Sequence, residues 1–256
     1  MRALISFTKK EFKSQIRSAK FNILIGLFIF FGILNPLFAK LIPFLFETLE
    51  DAMAQAGMNM PITPASDLDS WAQFYGNFSL YMIIFIIMQG NIFTKEYGNN
   101  TLVLVLTKGL DRWKVLCSKA FMLCALWTFY YLIYFLATYA ATEYFFNTSI
   151  AQNVVVSAVY LWIGGLWICA LAIFFSTLAK SIGTVIAGTL IPYILMSIFS
   201  VIPSIDKYLP TSLMSGANLI YGTSSPSDYL IALGITVVTA AALITASVPM
   251  FNKKQI

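Results

Sequence analysis

VVVSAVYLWIGGLWICALAIFFSTL, residues 154–178, is a run without a single charged side chain. A bilayer hydrocarbon core of about 30 Å asks for roughly 20 such residues in one helix. Working outward, five more segments meet that requirement, at 21–38, 74–93, 120–141, 184–202 and 229–250, and none of them contains a charge. Inside lipid every backbone N–H and C=O must be satisfied within the protein, so uncharged runs of this length fold as helices. The sequence therefore predicts an all-α integral membrane protein of six transmembrane helices, with residues 1–256 forming a single domain.

Composition agrees. Of 256 residues, 59% are hydrophobic and 11% charged, and the mean hydropathy is +0.80. A soluble domain carries about 25% charged residues, so this chain has too few polar groups to cover a water-facing surface. A soluble enzyme, a nucleic-acid module and a disordered chain are excluded. Histidine is absent, which removes the commonest general base and neutral metal ligand. Cys117, Cys124 and Cys169 lack metal-ligand spacing and read as small packing residues. No GxxxxGK[ST] phosphate loop occurs, so no nucleotide is bound by that mechanism.

Lysine and arginine set the orientation. With the N-terminus inside, segments 1–20, 94–119, 179–183 and 251–256 face the cytoplasm and hold 14 of the 16 basic residues. The outer segments keep Lys40, Lys207 and 8 of the 11 acidic residues. Both termini are expected in the cytoplasm. Residues 1–20 read as an interfacial amphipathic helix: Ile5, Phe12 and Ile16 recur at helical spacing among Lys9, Lys10, Lys13 and Arg17. Such a helix lies in the headgroup plane, its cations toward anionic lipid. The competing reading is a basic orientation signal alone. External loops are expected at 39–73 and 203–228, the second with a semi-apolar middle, 209–221, read as short re-entrant helices.

The cytoplasmic segment 94–119 is the least generic. Asn100 or Thr101 can cap a short helix over the apolar 102–106, with Gly109 past its end, and Asp111 can cap the helix that enters the third span. A short apolar helix in such a loop needs a membrane surface or another protein to bury against.

Glu96 just past the second span, Thr101, the apolar run, then Arg112 and Lys119 leading into the third span resemble the ABC-2 type permeases, the membrane subunits of ATP-binding-cassette exporters. The likeness extends to the six spans, the amphipathic N-terminal helix and the re-entrant outer segment. Where that family commonly has Gly before Thr, this chain has Asn100, with Gly98 nearby. The resemblance implies a separate ABC ATPase subunit that binds ATP and Mg, with no cofactor in this chain. It also implies a second permease, either another copy or a related chain, and a bacterial plasma-membrane location. Glu96, Tyr97, Thr101, Leu102, Leu104, Lys108 and Arg112 would form the ATPase-coupling surface.

An uncharged path suits a hydrophobic or amphipathic cargo such as a peptide, lipid or drug, exported along a dimer interface. Met82, Met88, Gln89, Asn91 and Met196 of the second and fifth spans are its expected walls. The aromatic stripe of the third span, including Tyr130 and Tyr134, is either a further wall or simple packing. Gly164, Gly165, Gly183 and Ala187 offer small faces for helix packing. The rival function is an ion-coupled secondary transporter or channel, but such carriers tend to place ionisable residues within the membrane, and these spans have none. An intramembrane enzyme would need an aspartate pair, a histidine-assisted serine or a metal site, and none lies within the spans.

Overall fold

The computed structural model describes residues 2–49, 64–90, 92, 107, 111–147, 149–179 and 181–253. Six helical units are long and apolar enough to cross a bilayer. Helix α1 (Arg2–Ile16) precedes span one, α2 (Ala19–Thr48). Span two is α3 (Asp67–Gly76) followed by α4 (Phe78–Gln89). Spans three, four and five are α5 (Arg112–Phe145), α6 (Val154–Leu178) and α7 (Ile182–Phe199). After the short α8 (Pro203–Asp206) and α9 (Ala217–Ile220), span six is α10 (Leu230–Lys253). No strand occurs among the described residues.

Spans three and four form the centre. Span one packs along span three, while spans five and six pack on span four. Trp127, Tyr130 and Tyr134 of span three are fully buried with Phe28, Phe74, Phe78, Tyr81 and Phe85. Phe74 stacks on Tyr134 with centroids 4.6 Å apart, and Phe85 meets Trp127 edge-on at 5.4 Å. Close approach of spans three and four depends on Gly165, where an added Cβ would stand 2.1 Å from the Trp127 ring.

Span two changes step at Asn77, whose Nδ2 donates to Asn35 Oδ1 at 3.0 Å. Asn35 in turn donates to Tyr134 Oη at 2.7 Å and Thr138 Oγ1 at 3.1 Å. This buried polar node joins spans one, two and three. Side-chain hydrogen bonds between helices typically contribute about 0.6 kcal/mol each in a membrane protein.

The structure moves several expected boundaries. Span four runs over residues 154–178 as expected, but span one does not stop near residue 38. It continues through Lys40 to Thr48, because the lysine needs no exit: its ammonium lies over the Phe145 ring, 5.5 Å from the centroid. The expected outer loop at 39–73 therefore shrinks from both sides, since Asp67 already opens span two. The Asp69 carboxylate accepts the Ser66 backbone N–H at 2.9 Å and fixes that start. Span three is longer at both ends than 120–141. Asp111 stands at its N-cap as expected, but its carboxylate pairs with Lys114 instead of a backbone N–H.

The outer segment 203–228 holds the expected short helices. A 3₁₀ turn, Pro210–Met214, is buried throughout against spans four and six. Met214 reaches Gly164, where an added Cβ would lie 2.9 Å from its side chain. Gly164 is ten residues into α6, so the segment dips about 15 Å below the start of span four.

Candidate functional site

The residues that gather chemistry lie at the end of the bundle that carries α1 and the end of span six. Lys119, in the third turn of α5, is 2% exposed. A buried ammonium is tolerated only when paired and hydrogen-bonded. Its Nζ donates to the Ile92 carbonyl at 2.8 Å and to Glu11 Oε2 at 3.3 Å. One side chain thus joins α1, the end of span two and the start of span three. Beside it the hydroxyls of Thr8 and Ser118 stand 2.8 Å apart, a second α1–α5 link.

Two further cations do comparable work. Lys20, opening span one, donates to the Met88 carbonyl at 3.3 Å in the last turn of α4. Arg112, opening span three, donates to the Phe251 and Asn252 carbonyls at 3.4 and 3.1 Å in the last turn of α10. The last carbonyls of a helix lack intrahelical donors and carry the negative end of its dipole, so cations are favoured there. The three contacts clasp the ends of spans two and six to the starts of spans one and three. In sequence, segment 94–111 connects the end of span two to Arg112.

Of the expected coupling residues, Arg112 is described and sits in this clasp. Glu96, Tyr97, Thr101, Leu102, Leu104 and Lys108 lie outside the described residues, as does Asn91. Thr107, described within that stretch, is helical and exposed. Sequence reasoning missed the roles of Glu11, Lys20, Thr8 and Ser118. Glu11, the lone acid among residues 1–20, was the available signal: an isolated acid on a basic amphipathic helix calls for a fixed partner.

The expected path residues separate. Met82, Tyr130 and Tyr134 are fully buried in the protomer's own core. A path along an interface between protomers would not be lined by them, and packing accounts for their positions. Met88 and Met196 are half-buried on the same core. Gln89 is buried, and its Nε2 has no partner among the described residues. Small residues separate as well. Gly164 and Gly165 receive Met214 and Trp127, whereas an added Cβ at Gly183 meets nothing within 4 Å and Ala187 is exposed. Most of span five faces outward.

At the opposite end, Asp67 is buried and accepts the backbone N–H groups of Ile150 and Ala151 at 2.9 and 3.0 Å. It thereby holds the connection between spans three and four. Tyr75 donates to Ser157 Oγ at 2.5 Å, and Ser157 donates to the Gly216 carbonyl at 3.0 Å. Asp206 accepts from Ser212 at 3.3 Å through Oδ2, while its Oδ1 is buried with no partner among the described residues. Burial holds the Asp206 carboxyl above its ordinary value despite the Ser212 contact, which lowers it.

Six apolar helices, a polar node deep among them and a cationic clasp at one end define a multi-pass membrane protein. The family model of the ABC-2 family transporter proteins matches residues 5–254, and the chain belongs to that family. It is a membrane component of an ABC transporter, whose partner is an ABC ATPase. No curated protein and no solved structure matches the chain.

Proposed function

We propose that this chain is the permease of an ABC exporter that carries a hydrophobic or amphipathic cargo out of a bacterial cell. The end holding α1 and the clasp faces the cytoplasm, in keeping with the gathering of 14 of the 16 lysines and arginines there. A separate ATPase binds ATP and Mg and receives segment 94–111, with Leu102 and Leu104 in a groove on its surface. Glu96, Tyr97, Thr101 and Lys108 flank that contact. The observation that carries this reading is Lys119, which ties α1 and the end of span two to span three, the two spans that the segment connects in sequence. Movement of the segment pulls on four spans through Lys119, Lys20 and Arg112. Transmission requires contacts that differ between the nucleotide states, which nucleotide-driven closure of the ATPase supplies.

Two permeases pair, and the outward face of span five, with Gly183 and Ala187, supports a contact between two copies. The cargo moves along that interface. The second span contributes its half-buried Met88, together with Asn91. Segment 203–228 closes the outer exit.

The test is co-purification of the full chain with the ATPase. Leu104→Asp places a charge in an apolar contact, at a cost of several kcal/mol. Association should weaken while membrane insertion persists. Unchanged association with unchanged ATP turnover would refute the contact.

A further inference from the structure

A groove of about 570 Å³ lies between α1 and the start of span three. Ile5 and Phe12 wall one side, Cys117 and Phe121 the other, and the Thr8–Ser118 hydroxyl pair lies between them. Ile5, Phe12 and Phe121 are each more than half exposed. Phe121 belongs to the charge-free part of span three, so the groove opens at the level where hydrocarbon meets headgroups.

Its rim is basic. Lys9 lines the groove, and Lys13 and, one residue past the end of α1, Arg17 follow at four-residue steps, the Arg17 N–H still donating to the Lys13 carbonyl at 3.3 Å, which places the three in one row. All three are exposed, and no side-chain ion pair or hydrogen bond engages them among the described residues. By contrast Glu11, on the face toward span three, is neutralised by Lys119. Going round the helix from its buried face, Phe12, Ile5 and Ile16 come first and the cationic row after them. Apolar floor and cationic lip stand side by side.

We propose that this groove is a binding site for an anionic phospholipid, one acyl chain lying along Ile5, Phe12 and Phe121 and the phosphate meeting Lys9, Lys13 and Arg17. This goes beyond general attraction of a basic helix to a charged surface, because one lipid molecule is held between two elements. Three unpaired cations suit a phosphodiester and repel neither of its parts, whereas an apolar helix of a second copy would leave them unused. Such a lipid would brace α1 against span three beside the Glu11–Lys119 pair. The site is independent of which ATPase and which cargo the transporter uses.

Cys117 reports occupancy directly, since its thiol is exposed within the groove, while Cys124 is half-buried and Cys169 buried. The full chain carrying Cys124→Ser and Cys169→Ala is placed in nanodiscs of phosphatidylcholine, with or without a minor fraction of phosphatidylglycerol. The rate of alkylation by the uncharged reagent N-ethylmaleimide is then measured. The expected result is several-fold slower alkylation with phosphatidylglycerol present, and no slowing in the Lys9→Gln/Lys13→Gln/Arg17→Gln variant in the same membrane. That variant experiences the same surface potential, so the difference isolates the bound lipid. Equal rates in the two membranes would overturn the proposal. So would a slow rate in both, which would mean that protein covers the groove, or slowing that survives in the triple variant.

Discussion

Thr138 donates its hydroxyl to the Gly32 carbonyl at 3.0 Å, and that carbonyl is the one Pro36, four residues on, has no N–H to satisfy. A proline inside a helix removes one backbone hydrogen bond. In lipid no water replaces it, so a neighbouring helix must. Here span three supplies the missing donor to span one. The same hydroxyl accepts from Asn35, which places the proline, its freed carbonyl and the step in span two within one network.

Thr138→Val keeps the shape and removes the donor. An unsatisfied buried carbonyl costs about 1–3 kcal/mol, so thermal unfolding of the purified chain in detergent should move down by several degrees. Pro36→Ala restores a backbone N–H to Gly32, and in that background Thr138→Val should cost much less. Equal losses in both backgrounds would separate Thr138 from the proline.

Lys119→Met leaves Glu11 without its cation in a nearly dry site. Breaking a buried pair from one side costs about 3–5 kcal/mol, and Glu11→Gln added to Lys119→Met should recover part of it. Amide exchange in α1 should rise in the single variant and fall back in the double one. Partner ATPase turnover should follow the same order. Additive losses would show that the two side chains do not act as a pair.

Two glycines give opposite expectations. Gly165→Ala forces a methyl against the rigid, buried Trp127 ring, and overpacking of this kind costs about 1–3 kcal/mol. Gly183→Ala meets nothing within 4 Å in the protomer. Its effect should appear in association of two copies and not in protomer unfolding. Light scattering and thermal unfolding on the same samples separate the two.

Legibility followed the physics of each signal. The charge-free run at 154–178 marked span four to the residue, because both of its ends coincide with polar loops. The end of span one was hidden, since Lys40 looks like a boundary while its long stem lets the helix continue past it. Asp67 and Asp69 looked like loop acids, yet one anchors a buried connection and the other fixes a helix start. Arg112 and Lys119 could be picked out from a resemblance, but their partners could not. The Ile92, Phe251 and Asn252 carbonyls are backbone atoms with no sequence signature, and Glu11 lies over a hundred positions from Lys119. The aromatic stripe of span three was visible as a stripe, and only tertiary packing shows that Tyr130 and Tyr134 face the protomer's own core.

The outer segment should respond to pH. Burial raises the Asp206 carboxyl above its ordinary value of 3.8, so the docked segment binds a proton more tightly than the released one. The sign follows: docking is strongest with Asp206 protonated, and weakens as pH rises from the ordinary carboxylate range through the raised value. Amide exchange over Pro210–Met214 should therefore accelerate across that interval, and Asp206→Asn should flatten the profile. Exchange that slows with rising pH, after correction for intrinsic rates, would contradict the assignment.

ATP-driven transport in reconstituted vesicles tests the exporter reading most directly. The chain and its ATPase are placed in one membrane, and movement of amphipathic peptides and labelled lipids is compared with that of a small hydrophilic solute, with and without an ion gradient. The expected result is movement of an amphipathic cargo that requires ATP, ignores the gradient and falls at least several-fold in Lys119→Met. Movement driven by the ion gradient without ATP, or ATP-dependent movement of the hydrophilic solute alone, would contradict it.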